Sequence, residues 1–182
     1  VFMSAGEQGR HVSTAKRILD SYPGLKNSSV EIIDELGFKW VNNIQLLEKL
    51  ERENGEKNVL RDWFDGKISS RILEKPEIMG CEILRKTLGK TSFLINSDTI
   101  SRPFCINVGS NRIGASVCKA LGIDYFSIKP KKPRAQRVPK TGEKLKETEA
   151  LLFFHLRDGR IVLAFRGRKF DVTRRVHEIL GK

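Results

Sequence analysis

No run of apolar residues in this chain approaches the roughly 18 that a membrane-crossing helix needs. Residues 1–10 lack the apolar stretch of a secretory signal. Cysteine is scarce: Cys81, Cys105 and Cys118 are odd in number and far apart, and none belongs to a Cys-x-x-Cys pair or a Cys/His cluster. Such spacing argues against a disulfide framework and against a zinc site. Free, half-buried thiols in a reducing compartment are expected, and with them an intracellular protein, cytoplasmic or nuclear. No internal repeat is visible. No cofactor, no metal and no membrane partner are expected.

One motif is incomplete in an informative way. Gly109-Ser-Asn-Arg-Ile-Gly114-Ala115-Ser116 has the glycine spacing and the terminal Ser of a phosphate-binding P-loop, but Ala115 stands where the motif has Lys. Without that side chain nothing reaches the terminal phosphates, so nucleotide hydrolysis is not expected here. The stretch reads instead as a helix capped by Ser110 or Asn111. Ile113, Val117 and Leu121 form its inner stripe, Gly122 stops it, and the small residues Ala115, Cys118 and Ala120 suit close packing on a sheet.

A chain of 182 residues is one domain or two small ones. The patterning divides it into a helical subdomain over 1–76, an α/β segment over 77–128, a basic Pro-containing arm over 129–147, and a hairpin with a C-terminal helix over 148–182. In the first part helices are expected over 15–21, 30–36, 39–53 and 69–74, with Trp40, Trp63 and Phe64 as core pegs. Three short helices resemble a helix-turn-helix superficially, but Glu48, Glu51 and Glu53 in the third would be repelled by phosphates. That part is read as packing or contacting protein. Beyond Pro76 a helix is expected over 78–88, then strands over 91–95, 104–108 and 125–128. The fold class that follows is α+β: a helical N-terminal part, then a small, mainly antiparallel sheet with helices packed on it.

What is plentiful is positive charge, unevenly placed. Residues 129–182 hold sixteen basic and six acidic side chains, a net +10 of the chain's +12. Such asymmetry points to an anionic partner at one end of the molecule. Pro130, Pro133 and Pro139 keep the arm out of helix and sheet, and it carries Lys131, Lys132, Arg134 and Arg137. Asp158-Gly159 predicts a two-residue hairpin turn that places Arg157 opposite Arg160. One face then holds Leu152, Phe154 and Leu156 with Ile161, Leu163 and Phe165, a core face. The other carries Phe153 and His155 between Arg157, Arg160 and Arg166, a possible stacking surface for bases. Arg168 and Lys169 follow. Arg174 and Arg175 fall in the first turn of the last helix, where cations oppose the macrodipole and an external phosphate would relieve them.

The expected function is DNA or RNA binding through these residues, within a larger nucleoprotein or polymerase assembly, with protein partners on the helical N-terminal part. Two alternatives stand beside it. One is a nuclease or other nucleic-acid-processing enzyme using Asp98, Glu149, His155 and Asp171; the other is an interaction module whose basic arm is a localisation signal.

Overall fold

The computed structural model describes residues 2–5, 9–21, 30–37, 39–96, 104–129 and 149–181. In chain order these form β1 (Phe2–Ala5), α1 (Gly9–Ser21), β2 (Val30–Ile32), a 3-10 turn (Asp34–Leu36), α2 (Ile44–Asn54), α3 (Glu56–Phe64), α4 (Pro76–Asn96), β3 (Phe104–Gly109), α5 (Asn111–Ala120), a second 3-10 turn (Tyr125–Ser127), β4 (Glu149–His155), β5 (Ile161–Phe165), β6 (Arg168–Asp171) and α6 (Thr173–Leu180). The strands make one six-stranded sheet in the order β2-β1-β3-β4-β5-β6. β1 pairs in parallel with β2 and β3, and the other three pairings, β3–β4, β4–β5 and β5–β6, are antiparallel. The fold is α+β, with antiparallel pairing in the majority among the described strands.

The layering follows from chain direction. β1 steps to β2 through α1, and the chain then returns past β1 to reach β3. Right-handed crossovers that step in opposite directions place their helices on opposite faces. Accordingly α1 packs on β1, β2 and β3, while α4 and α5 pack on each other and on β3, and α6 packs on β5 and α4. The main buried cluster lies on the α4–α5–α6 face and runs from Ile33, Leu36 and Trp63 through Ile83, Leu84 and Val117 to Phe153, Leu163 and Val176. Ala15 and Leu19 of α1 are buried outside it. Trp40 and Trp63 are buried pegs as expected, their indole N–H groups donating to the carbonyls of Glu35 and Glu74 at 2.8 and 2.7 Å. α5 is the helix read from the sequence. Its stripe is buried, Gly122 ends it at φ +72°, and the Ser116 hydroxyl donates to the Ile113 carbonyl inside the helix packing.

Several local expectations are corrected. Residues 1–76 are not purely helical, since β1 and β2 come from them. The stretch 30–36 is a strand and a 3-10 turn. Val30, Ile32 and Ile33 are β-branched, and a two-turn helix gains too little to compete with pairing on β1. α2 begins at Ile44 and not at 39, because Asn43 is the cap: its side chain accepts from the Leu46 N–H at 3.0 Å. Residues 69–74 are a turn and a bridge that exchanges backbone bonds with residues 40–42, Asn42 N–H to Ile72 O and Glu74 N–H to Trp40 O at 2.9 Å each. The strand expected over 91–95 is the continuation of α4. Gly89 costs a helix about 1 kcal/mol but does not oblige it to end. Residues 125–128 are not a strand, for Asp124 accepts from the Phe126 N–H at 3.0 Å and winds the chain into a 3-10 turn.

The hairpin has a different register from the expected one. His155 pairs with Ile161 and Phe153 with Leu163. The Leu156 N–H donates to the Arg160 carbonyl at 2.8 Å and the Gly159 N–H to the Leu156 carbonyl at 3.0 Å, with Gly159 at φ +84°. This is a three-residue loop with one left-handed position, where a two-residue turn needs two. Asp158 thereby avoids positive φ and takes the N–H and Nε–H of Arg160 at 3.1 and 2.7 Å. A slip of one residue exchanges the faces of β4. Leu151 and Phe153 point to the core and Leu152 and Phe154 away from it, while Ile161, Leu163 and Phe165 keep the expected side.

Candidate nucleic-acid interface

The register fixes which groups share an end of the sheet. β1, β2 and β3 all run toward the same edge, at Ala5, Ile32 and Gly109. Glu149, the first residue of β4, pairs with Gly109 there, and Phe165 and Arg168 close the β5–β6 turn at the same edge. α5 starts immediately after Gly109. Ser110 is its N-cap without a side-chain bond, and no acidic residue lies in its first turn. Its partial positive charge is therefore not offset from within the helix.

Arg166 sits in that β5–β6 turn at φ +47°, a left-handed conformation uncommon outside glycine. Its guanidinium donates to the Ile128 carbonyl at 2.8 Å, to the Tyr125 carbonyl at 3.3 Å and to the Tyr125 hydroxyl at 2.6 Å. It also stacks 4.2 Å from the Tyr125 ring centroid. Arg166 thus ties the point where the chain leaves the described fold, after Lys129, to the edge where it re-enters at Glu149. Arg168 and Lys169 are exposed on β6, an outer strand, with no carboxylate partner among the described residues. Cations on an edge strand also discourage pairing with other chains.

The remaining predicted residues lie elsewhere. Lys131, Lys132, Arg134 and Arg137 lie outside the described residues. Arg157 and Arg160 are exposed in the β4–β5 loop, at the far end of the sheet. β4 separates them from the first edge by about 20 Å at 3.4 Å per residue. Arg174 and Arg175 are at that far end too. Phe153 is fully buried, so the stacking role expected of it is corrected: its ring is core and meets no base. His155 is half-buried on the same face, at the far end of β4. Asp98 lies outside the described residues, and Glu149 and Asp171 stand at opposite ends of the sheet, so those two carboxylates do not converge. Among the described residues no group of three His, Cys, Asp or Glu side chains is placed to hold a metal ion. Burial pushes the Cys81 thiol up from its ordinary value, which disfavours the thiolate.

Both arginines of α6 pair with Glu178, and Arg175 is also bound into the fold. Arg175 donates to the Ala120 carbonyl at 2.8 Å, to Glu178 at 3.1 Å and to Glu77 at 3.2 Å, stitching α6 to the end of α5 and the start of α4. Arg174 is 94% exposed and pairs with Glu178 at 3.0 Å. The anion at the helix start is intrinsic: Asp171 accepts from the Thr173 hydroxyl at 2.6 Å and its N–H at 3.1 Å. Those bonds hold the Asp171 carboxyl below its ordinary 3.8, and bonds from Arg175 and then Arg174 hold Glu178 below 4.5. Depressed folded-state values stabilise the protein above the ordinary carboxylate range and cease to do so as pH falls through them. The melting temperature is expected to drop between about pH 5 and about pH 3, and to drop less in an Asp171→Asn, Glu178→Gln variant. Equal acid sensitivity in the two proteins would assign the effect to other carboxylates.

Sequence reasoning missed a third arrangement. Arg61 of α3 and Lys119 of α5 lie over aromatic rings, Arg61 Cζ 4.9 Å from the centroid of Phe126 and Lys119 Nζ 4.6 Å from that of Phe64. The available signal was the pair Tyr125-Phe126 directly after a helix stop, which the strand reading absorbed.

These features define an α+β protein with a mixed six-stranded sheet and a basic edge where its parallel strands end. Compared with protein-family models, with curated proteins and with solved structures, the chain matches none.

Proposed function

We propose that this protein binds nucleic acid at the edge of the sheet on which its parallel strands end. One observation carries the reading. The strongly basic segment between Lys129 and Glu149 has both of its ends at this edge, beside Arg168 and the start of α5, where Arg112 pairs with Glu51 of α2. Phosphates are the anions that such a spread of Lys and Arg neutralises in number. Arg157 and Arg160 lie too far away to join the same contact, and Arg174 and Arg175 are held by Glu178. The interface is accordingly smaller than the charge count suggests.

Binding of a labelled oligonucleotide is expected to weaken with salt at a log–log slope of about −3.5 to −4.5, for about five phosphates neutralised. Replacing Lys131, Lys132, Arg134 and Arg137 with Gln should flatten the slope, whereas Arg157→Gln with Arg160→Gln should leave it nearly unchanged. An affinity that ignores salt would overturn the proposal.

A second reading is favoured by the strand order. β1 and β3 are parallel neighbours whose chains leave toward opposite faces, and in open sheets such a junction opens a crevice for ligands at the carboxyl ends. The occupant would be a small phosphate-bearing molecule. Affinity that does not rise with oligonucleotide length, while a mononucleotide raises the melting temperature, would select this reading.

A further inference from the structure

We infer that the aromatic cluster capped by Arg61 and Lys119 is a stacking platform for bases of single-stranded nucleic acid. The inference rests on the nucleic-acid reading above and adds the form of the strand. The cluster begins in the core, where Phe165 stacks on Tyr125 with centroids 5.9 Å apart. From Tyr125 it continues edge-on to Phe126 at 5.2 Å, and Phe64 meets Phe126 edge-on at 5.4 Å. Phe64 and Tyr125 are buried and Phe126 is half-exposed, so a rigid base carries an accessible ring.

The cations on this cluster are unusual in what they touch. Arg61 is exposed, and its described contact is the face of Phe126. Lys119 lies on Phe64. The nearby carboxylates are engaged elsewhere: Asp62 and Asp65 pair with Lys67 at 3.1 and 3.5 Å, and Asp124 accepts the Phe126 N–H. A guanidinium has two faces. With one on a ring and the side chain open to water, the other presents a flat, cationic surface of the size of a base. Bases in a duplex are stacked on each other and unavailable, so this geometry selects an unpaired strand.

Position gives the patch its partner. Two residues beyond Phe126 the Ile128 carbonyl is bound by Arg166, and Lys129, exposed and without a carboxylate partner among the described residues, opens the basic segment. A strand whose phosphates follow that segment arrives with its bases beside Phe126.

The test uses the full chain and two probes of mixed sequence, a fluorescein-labelled single-stranded oligonucleotide and its duplex. Arg61→Lys keeps the charge and removes the plane; Phe126→Leu keeps an apolar side chain and removes the ring. Each is expected to weaken single-strand binding about tenfold and to leave duplex binding within about twofold, with the melting temperature unchanged for Arg61→Lys and slightly lowered for Phe126→Leu, whose ring packs on Tyr125 and Phe64. Photocrosslinking to a 5-bromouracil-containing strand is expected to mark Phe126 or Arg61, a readout that does not depend on the variants folding. Arg61→Lys that binds the single strand like the parent, or crosslinks confined to other residues, would overturn the stacking platform and leave phosphate binding standing. Failure of the unmodified protein to bind either probe in a salt-dependent way would overturn the nucleic-acid reading itself.

Discussion

Gly80→Ala is expected to destabilise the fold by about 3 kcal/mol, the upper part of the range for overpacking a well-filled contact. α4 and α5 cross at this residue. A Cβ on Gly80 would coincide with the backbone carbonyl of Ser116 and stand 2.8 Å from the Cβ of Ala120. Neither neighbour is the flexible end of a long side chain, so relief requires the helices to move apart. That movement would loosen Ile83, Leu84, Val117 and Cys118, all buried at the same contact. Gly89 of the same helix supplies the control, because nothing lies within 4 Å of a Cβ placed there. Gly89→Ala should stabilise by up to about 1 kcal/mol through helix propensity alone. Denaturant unfolding of the pair separates the two effects. A neutral Gly80→Ala would mean that the helices pack further apart than described.

Arg166→Ala is expected to cost about 3 kcal/mol, with the loss appearing in stability before it appears in binding. The substitution removes the charged donor from the Ile128 carbonyl and from the Tyr125 carbonyl, which keeps only the Ile128 N–H at 3.4 Å, and bonds from a charged donor are worth roughly 1.5–3 kcal/mol each. Relief of the left-handed backbone does not offset this, since Ala is no better suited to φ +47° than Arg. Arg166→Lys should recover little. An ammonium is not planar and does not span two carbonyls and a phenol while stacking on the ring. Reduced oligonucleotide affinity in these variants therefore has to be read beside their melting curves. A fully stable Arg166→Ala protein with weakened binding would return Arg166 to the set of phosphate contacts.

Local chemistry was readable where one signal dominated. Gly122 ends α5 because a left-handed residue is needed there, and Ile161, Leu163 and Phe165 face the core because strict alternation allows no other choice. Two of the misreadings share a cause: each turned on a partner distant in sequence. Val30–Ile32 becomes a strand through β1, and residues 72–74 extend because residues 40–42 lie beside them. The helix expected from residue 39 starts only at Ile44, because Asn43 caps it. The hairpin error was one residue, from assuming the shortest loop that Asp-Gly permits, and it put Phe153 on the wrong face. The charge asymmetry was fully legible, yet its division between the two ends of the sheet was not, because composition carries no direction. Arg61 and Phe126 come from segments that sequence separation hides, and only the fold brings them together.

The sheet order also bears on how the molecule assembles. β3 to β6 pair with their sequence neighbours, and the two hairpins β4–β5 and β5–β6 close over a few residues each. β1 is different: Phe2–Ala5 has to find Phe104–Gly109 across about a hundred intervening residues. Contacts of that separation form late, because loop closure is completed before they return anything. The central strand of the parallel half is then the last to dock. Until it does, β3 presents an unpaired backbone edge that a second chain can occupy. The edge proposed to receive phosphates is complete only after that step, so oligonucleotide binding would follow the slowest phase of refolding and lag behind the burial of Trp40 and Trp63.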